Sequence, residues 1–275
     1  MRISQVSDHV GALIEDVDIT QLTDSETNML VDAWGEHGAL FFRGQTLDEQ
    51  QHIEFAERFS SIDINKFFTP IEGHPQIAQV LKEADHTVNV GGGWHTDHSY
   101  DQIPAKGSIL VARDLPPTGG DTRFLSVGAA YDALSDGLKT TLASLHAHHS
   151  NEHVFGAKTG YDEGDNRFGN PEGVGGSIHP VVVRHPRTGQ KLLYVNAAFT
   201  THFVGWTPQE SAPLLSFLYQ HMASGPFSYQ FEWESGSVAM WDNRSTWHWA
   251  LNDYQGHRRL MHRITLAGEE LGGIS

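Results

Sequence analysis

The sequence predicts a mainly β chain with flanking helices, closed into a jelly-roll-type barrel. Three observations lead there. Many short runs of β-favouring residues are separated by Gly and Pro turns, helix signals are few and sit near the start and on one flank, and beyond the first third strand mostly follows strand. A parallel α/β sheet would need a helix between most of its strands. The 275 residues, 39% of them hydrophobic, can build one large core, and nothing marks a split, so one domain over 1–275 is expected.

Residues 10–17 read as a strand. Thr23 with Glu26 has the spacing of a capping box, in which each side chain satisfies the other residue's free backbone N–H, and opens a helix to about 37. A short strand at 39–42 ends at Gly44, and a second box, Thr46 with Glu49, opens a helix to about 59. Strands are expected at 76–82, 107–113 and 121–125, with Ser126 and Ser135 starting short helices, the second reaching about 145. Seven glycines fall in the twenty-one residues 156–176, so the stretch around 156–177 is read as a lid over a site. Strands resume at 178–184 and 191–195. Thr207 with Glu210, and Pro208 at the first helical position, opens a helix to about 222, and strands at 227–234, 237–242 and 260–267 finish the chain.

Composition excludes several classes of function. A formal charge of -16 argues against a nucleic-acid partner, because general affinity for phosphate backbones comes from clustered Lys and Arg. There is no cysteine, so a metal must be held by His, Asp or Glu. No apolar signal core opens the chain and no window reaches the roughly 18 apolar residues of a membrane span, which gives the expectation of a soluble, cytoplasmic protein.

Two stretches carry chemistry. In 259–264, RLMHRI, alternation puts Arg259, Met261 and Arg263 on one strand face and Leu260, His262 and Ile264 on the other. If the first face is buried, its guanidiniums need anionic partners; exposed arginines on an edge strand fit the residues equally well. In WHTDHSY, 94–100, His95 and Asp97 project together if the segment is extended, as the preceding Gly91, Gly92 and Gly93 allow. With a distant histidine added, that pair would give the two-His, one-carboxylate face suited to non-haem Fe(II), although a lone His-x-Asp says little by itself.

The motifs taken together resemble the family of taurine and 2,4-D dioxygenases: HTD at 95–97, GGDT at 119–122, HP followed by P-x-TG within 179–189, LYVN at 193–196, WDNR at 241–244, then His248, Arg259 and Arg263. The resemblance spans nearly the whole chain. It implies a cupin-like double-stranded β-helix that uses Fe(II), 2-oxoglutarate and O2. It further implies that His95, Asp97 and His248 bind iron, that Thr122 and Arg259 hold the distal carboxylate of 2-oxoglutarate, and that Arg263 faces the substrate's anionic end. The runs IEG, WHTD, GGDT-x-FLS and VFG look closest to the branch that oxidises aryloxyalkanoates. Where taurine enzymes place a His and a Tyr near the sulfonate, this chain has Asn65 and Phe68; with Phe67, Phe155 and Phe199 they suggest a larger, more apolar pocket. The implied reaction hydroxylates an aliphatic carbon of a small anionic molecule, with 2-oxoglutarate going to succinate and C–O or C–S cleavage possible in the product. A homo-oligomer is expected. The alternative is a metal-binding jelly roll of another class, a zinc hydrolase or a non-catalytic binding protein.

Overall fold

The computed structural model describes residues 1–156 and 173–274. Its largest sheet has Ala39–Phe42, Val238–Asp242, Gly107–Asp114, Arg259–Leu266 and His74–Lys82 side by side in that order. These pairs are all antiparallel, while Ala12–Glu15 joins Ala39–Phe42 in parallel and carries Arg2–Gln5 antiparallel on its other side. A three-stranded sheet, Ser228–Phe231, Thr122–Ser126 and Thr246–Ala250, packs against the large one. The expected jelly roll is therefore what the chain forms, with helices outside.

The reason lies in strands that are apolar on both faces. In Ala39–Phe42, residues 40 and 42 enter the core under the helices while 39 and 41 enter the core between the sheets. The strands Val238–Asp242 and Gly107–Asp114 split the same way: Met240, Ile109 and Val111 lie outward, Trp241 and Leu110 inward. Each thus reads as a continuous apolar run, the pattern of a strand covered on both sides. Leu30 and Trp34 of the helix Asp24–His37, with Ile53, Phe55 and Ala56 of the helix Glu49–Glu57, form the outer cover.

The capping box at Thr23 and Glu26 is present, as is that at Thr207 and Glu210 with Pro208 in the first turn. The box at Thr46 and Glu49 is not. The helix starts at Glu49, and its cap is Asp48, whose carboxylate accepts from the backbone N–H of Gln51 while the Gln51 side chain returns the bond. Asp48 with Gln51 has the same three-residue spacing two positions later, and the competing carboxylate takes the cap. The helix after Ser135 also ends early, at Leu142. Of the expected lid at 156–177, residues 157–172 lie outside the described residues; Gly173 and Gly175 are tied to the Asn151 side chain just before the strand Gly176–Pro180. Among the described residues no helix is long and apolar enough to cross a membrane.

One buried group ties stability to pH. His52 is fully buried, and burial, with the Arg113 charge, pushes its pKa down to about 3. The unfolded chain, with an imidazole near 6.5, binds the extra proton first as pH falls, so stability is complete above about 6.5 and drains away between there and about 3. His52→Leu should flatten the slope of unfolding free energy against pH in that window; an unchanged slope in urea titrations would refute the assignment.

Candidate active site

The two histidines are brought together by the backbone. His95 pairs with His248 as an isolated antiparallel bridge, each N–H donating to the other's carbonyl at 3.1 and 2.8 Å, and the rings stand 4.1 Å apart. From there the chain stays extended long enough for Thr96 to turn the opposite way, where its hydroxyl donates to the Asn243 carbonyl, leaving His95 and Asp97 on one side. His98 then takes a left-handed φ of 58° and starts a turn closed by the Asp101 N–H. Gly91, at φ 78°, packs beside the His95 ring, where a Cβ would approach Cε1 to 3.2 Å.

The imidazole Nε2 atoms of His95 and His248 each lie 3.6 Å from a different oxygen of Asp97. One ligand atom from each of the three residues falls within 4.8 Å of the other two. A gap of 3.6 Å is longer than a hydrogen bond and fits two donors that face a common point. Three features suit a cation there. The His95 Nδ1 sits 2.8 Å from the Gly93 carbonyl, which fixes its proton on Nδ1 and leaves a lone pair on Nε2. Burial, reinforced by His95, pushes the His248 pKa well down, so its ring is neutral. Burial alone would raise the Asp97 carboxyl, but Arg263 and the imidazoles hold it well below the usual carboxylate range. Two imidazoles, one carboxylate and no thiolate form a donor set for Fe(II).

These groups open on a cavity of about 470 Å³. Arg259 lines it, 4% exposed, with Nε and one terminal nitrogen lacking any hydrogen-bond partner. Its pKa is lowered by burial, against the opposing influence of Tyr254, Asp121 and Asp253. A guanidinium so placed matches a ligand carboxylate. The nearby Thr122 hydroxyl accepts from the Trp233 indole N–H at 3.0 Å, which leaves its own proton free to donate. Trp233 also lies 5.8 Å from the Arg259 guanidinium carbon. Gly120, at φ 74°, gives Arg259 its room: a Cβ would meet the Arg259 Cδ at 3.1 Å.

Arg263 shares the cavity, yet it is already held by protein: one terminal nitrogen donates to Asp97 at 2.7 Å and to Ser108 at 3.0 Å, while Nε is unpartnered. Asn65, Phe68, Phe155 and Phe199 all line the cavity, the three Phe as part of one aromatic cluster with Phe67 and Tyr100. The Asn65 oxygen is occupied by the backbone N–H groups of Phe67 and Phe68. His262, on the opposite strand face, accepts from Arg113 and stands away from the cavity.

The profile of the family described as taurine catabolism dioxygenase TauD, TfdA family, matches residues 2–265. The chain belongs to the TauD/TfdA family. Among its relatives are an alkylsulfatase of Acinetobacter baylyi, 32% identical over 99% of this chain and 87% of that one, and an (S)-phenoxypropionate/α-ketoglutarate dioxygenase of Sphingobium herbicidovorans, 31% identical over 94% and 92%. A crystal structure of a taurine dioxygenase from Burkholderia xenovorans superposes with a TM-score of 0.84 at 32% identity, covering 99% of this chain and 91% of that one. This TauD/TfdA enzyme is thus an α-ketoglutarate-dependent dioxygenase on a cupin-like double-stranded β-helix, using Fe(II), 2-oxoglutarate and O2. Sequence reasoning overlooked Trp233 and Tyr100 at its site. An isolated Trp and a Tyr at the end of WHTDHSY carry no spacing signal that separates them from core residues.

Proposed function

We propose that His95, Asp97 and His248 hold the ferrous ion, and that Arg259 and Thr122 hold the distal carboxylate of 2-oxoglutarate. We infer further that the substrate is a small organic anion with an apolar body, an aryloxyalkanoate-like carboxylate in preference to taurine. One observation supports the substrate reading above the rest: the cavity pairs the cationic Arg263 with a wall made of Phe67, Phe68, Tyr100, Phe155 and Phe199. Taurine has nothing to offer that wall. Two relatives, the alkylsulfatase and the phenoxypropionate dioxygenase, carry names that pair an anion with an organic group.

When bound, the ion and the keto acid together would activate O2, one oxygen atom of which goes into the substrate C–H to give C–OH and the other into succinate as 2-oxoglutarate loses CO2. The chain's own residues do the placing. Arg259 offers a forked donor to a carboxylate, Thr122 adds a hydroxyl donor whose orientation Trp233 fixes, and the aromatic wall excludes water and holds the substrate's apolar body. If the hydroxylated carbon also carries an ether oxygen, the C–O bond then breaks.

Succinate formation measured with phenoxyacetate, hexyl sulfate and taurine tests this. Burying on the order of 100 Å² more apolar surface at about 25 cal/mol per Å² amounts to roughly seventyfold in kcat/KM, so phenoxyacetate should exceed taurine by about that factor. Taurine ranking first would sink the reading, and hexyl sulfate ranking first would replace the carboxylate by a sulfate while keeping the apolar body.

A further inference from the structure

Tyr100 is a polar residue in an apolar place. Its ring packs edge-on against Phe199 at 4.8 Å, Phe155 at 6.1 Å and Phe67 at 6.4 Å, and His98 stacks on it at 5.6 Å. The His98 ring is itself held by Asp101 at 2.8 Å, so the tyrosine is clamped from both sides. The residue is only 5% exposed and lines the cavity. Its hydroxyl makes no hydrogen bond among the described residues. A phenol placed among phenylalanines gives up hydration that only a partner can restore, and here the partner must come from the cavity.

Arg263, which lines the same cavity, explains what partner is wanted. A substrate anion brought to Arg263 meets a guanidinium that already gives one nitrogen to Asp97 and Ser108. A buried carboxylate or sulfate has several lone pairs to satisfy, and half a guanidinium does not satisfy them. The Tyr100 hydroxyl lies near enough to Asp97 and Arg263 to feel both charges; burial, with Asp101 and Asp97, raises its pKa far above the ordinary phenol value, so it remains a donor.

We propose that Tyr100 is a substrate-binding and specificity-determining residue, whose hydroxyl donates to the anionic group that Arg263 attracts. This rests on the reading that Arg263 meets the substrate's anion. With Tyr100 and Arg263 both engaged, the pocket selects molecules whose charge sits directly beside the apolar body, because the donor is embedded in the aromatic wall itself.

The test uses the intact enzyme loaded with Fe(II) and 2-oxoglutarate under anaerobic conditions, and follows equilibrium binding of phenoxyacetate and of ethoxybenzene, its uncharged isostere, by calorimetry. Tyr100→Phe keeps the ring and removes only the donor. It should weaken phenoxyacetate about tenfold or more, as expected for a lost hydrogen bond to a charged group, and change ethoxybenzene less than about twofold. In turnover the same variant should raise KM for the preferred anion with kcat retained. Equal affinity of wild type and Tyr100→Phe for phenoxyacetate overturns the proposal, and so does an equal loss for both probes, which would mark a packing role. Arg263→Gln separates the two layers. If it weakens phenoxyacetate while Tyr100→Phe does not, the anion reading stands and the Tyr100 proposal falls; if neither variant discriminates between the probes, both fall.

Discussion

His248→Ala is expected to abolish succinate formation and to erase the visible metal-to-cosubstrate charge-transfer band that anaerobic wild-type enzyme should show with Fe(II) and 2-oxoglutarate. Losing an outer hydrogen-bond partner of a metal ligand lowers affinity about 10- to 100-fold, and losing the ligand itself must exceed that. The variant also leaves Asp97 with one imidazole and a guanidinium where it had two imidazoles and a guanidinium, so the remaining pair no longer defines one face for an ion. Folding should survive. His248 contributes its backbone to the bridge with His95 and to pairing with Phe124, and neither bond needs the imidazole. A His248→Ala protein that keeps both band and turnover would remove iron from these three residues, and wild type without a band would restore the zinc-hydrolase or binding-protein alternative.

How much of this site the sequence disclosed depends on the range of the interaction concerned. The alternation in 259–264 fixes which side chains share a face, and the structure keeps Arg259 and Arg263 on the cavity side with His262 behind them. Capping boxes at Thr23 and Thr207 are local and were legible; where Asp48 and Thr46 competed within two residues, spacing could not rank them. The strand His146–Ser150 was invisible, because HAHHS has no apolar alternation, although Ala147 and His149 point inward. So was Thr246–Ala250, which carries His248. The Arg263–Asp97 contact spans 166 residues and has no local signature, so its existence is a property of the folded barrel alone.

The largest loss of stability is expected from Asp242→Ala, at about 3 to 5 kcal/mol, the usual effect of removing one partner from a buried ion pair. Asp242 and Arg244 are nearly inaccessible, and the carboxylate accepts from the Arg244 backbone N–H at 2.8 Å, its Nε at 2.9 Å and a terminal nitrogen at 2.6 Å, with His185 Nε2 at 3.1 Å. Burial alone would raise its pKa, but the Arg244 charge and bonds hold it well below the ordinary range. Alanine would leave Arg244 paired with the carboxylate of Glu269, more than half exposed to solvent, at 2.9 Å. The position also matters for the site. Asp242 ends one strand, and the turn of residues 243–245 leads straight into Thr246–Ala250, so the ion pair rigidifies the turn that delivers His248. Urea unfolding should therefore show a lower midpoint for Asp242→Ala with an unchanged m value. Asp242→Ala combined with Arg244→Met should recover part of the loss, because the unpaired buried charge is gone. A single variant within about 1 kcal/mol of wild type would show that the pair contributes little beyond its solvent-exposed equivalents.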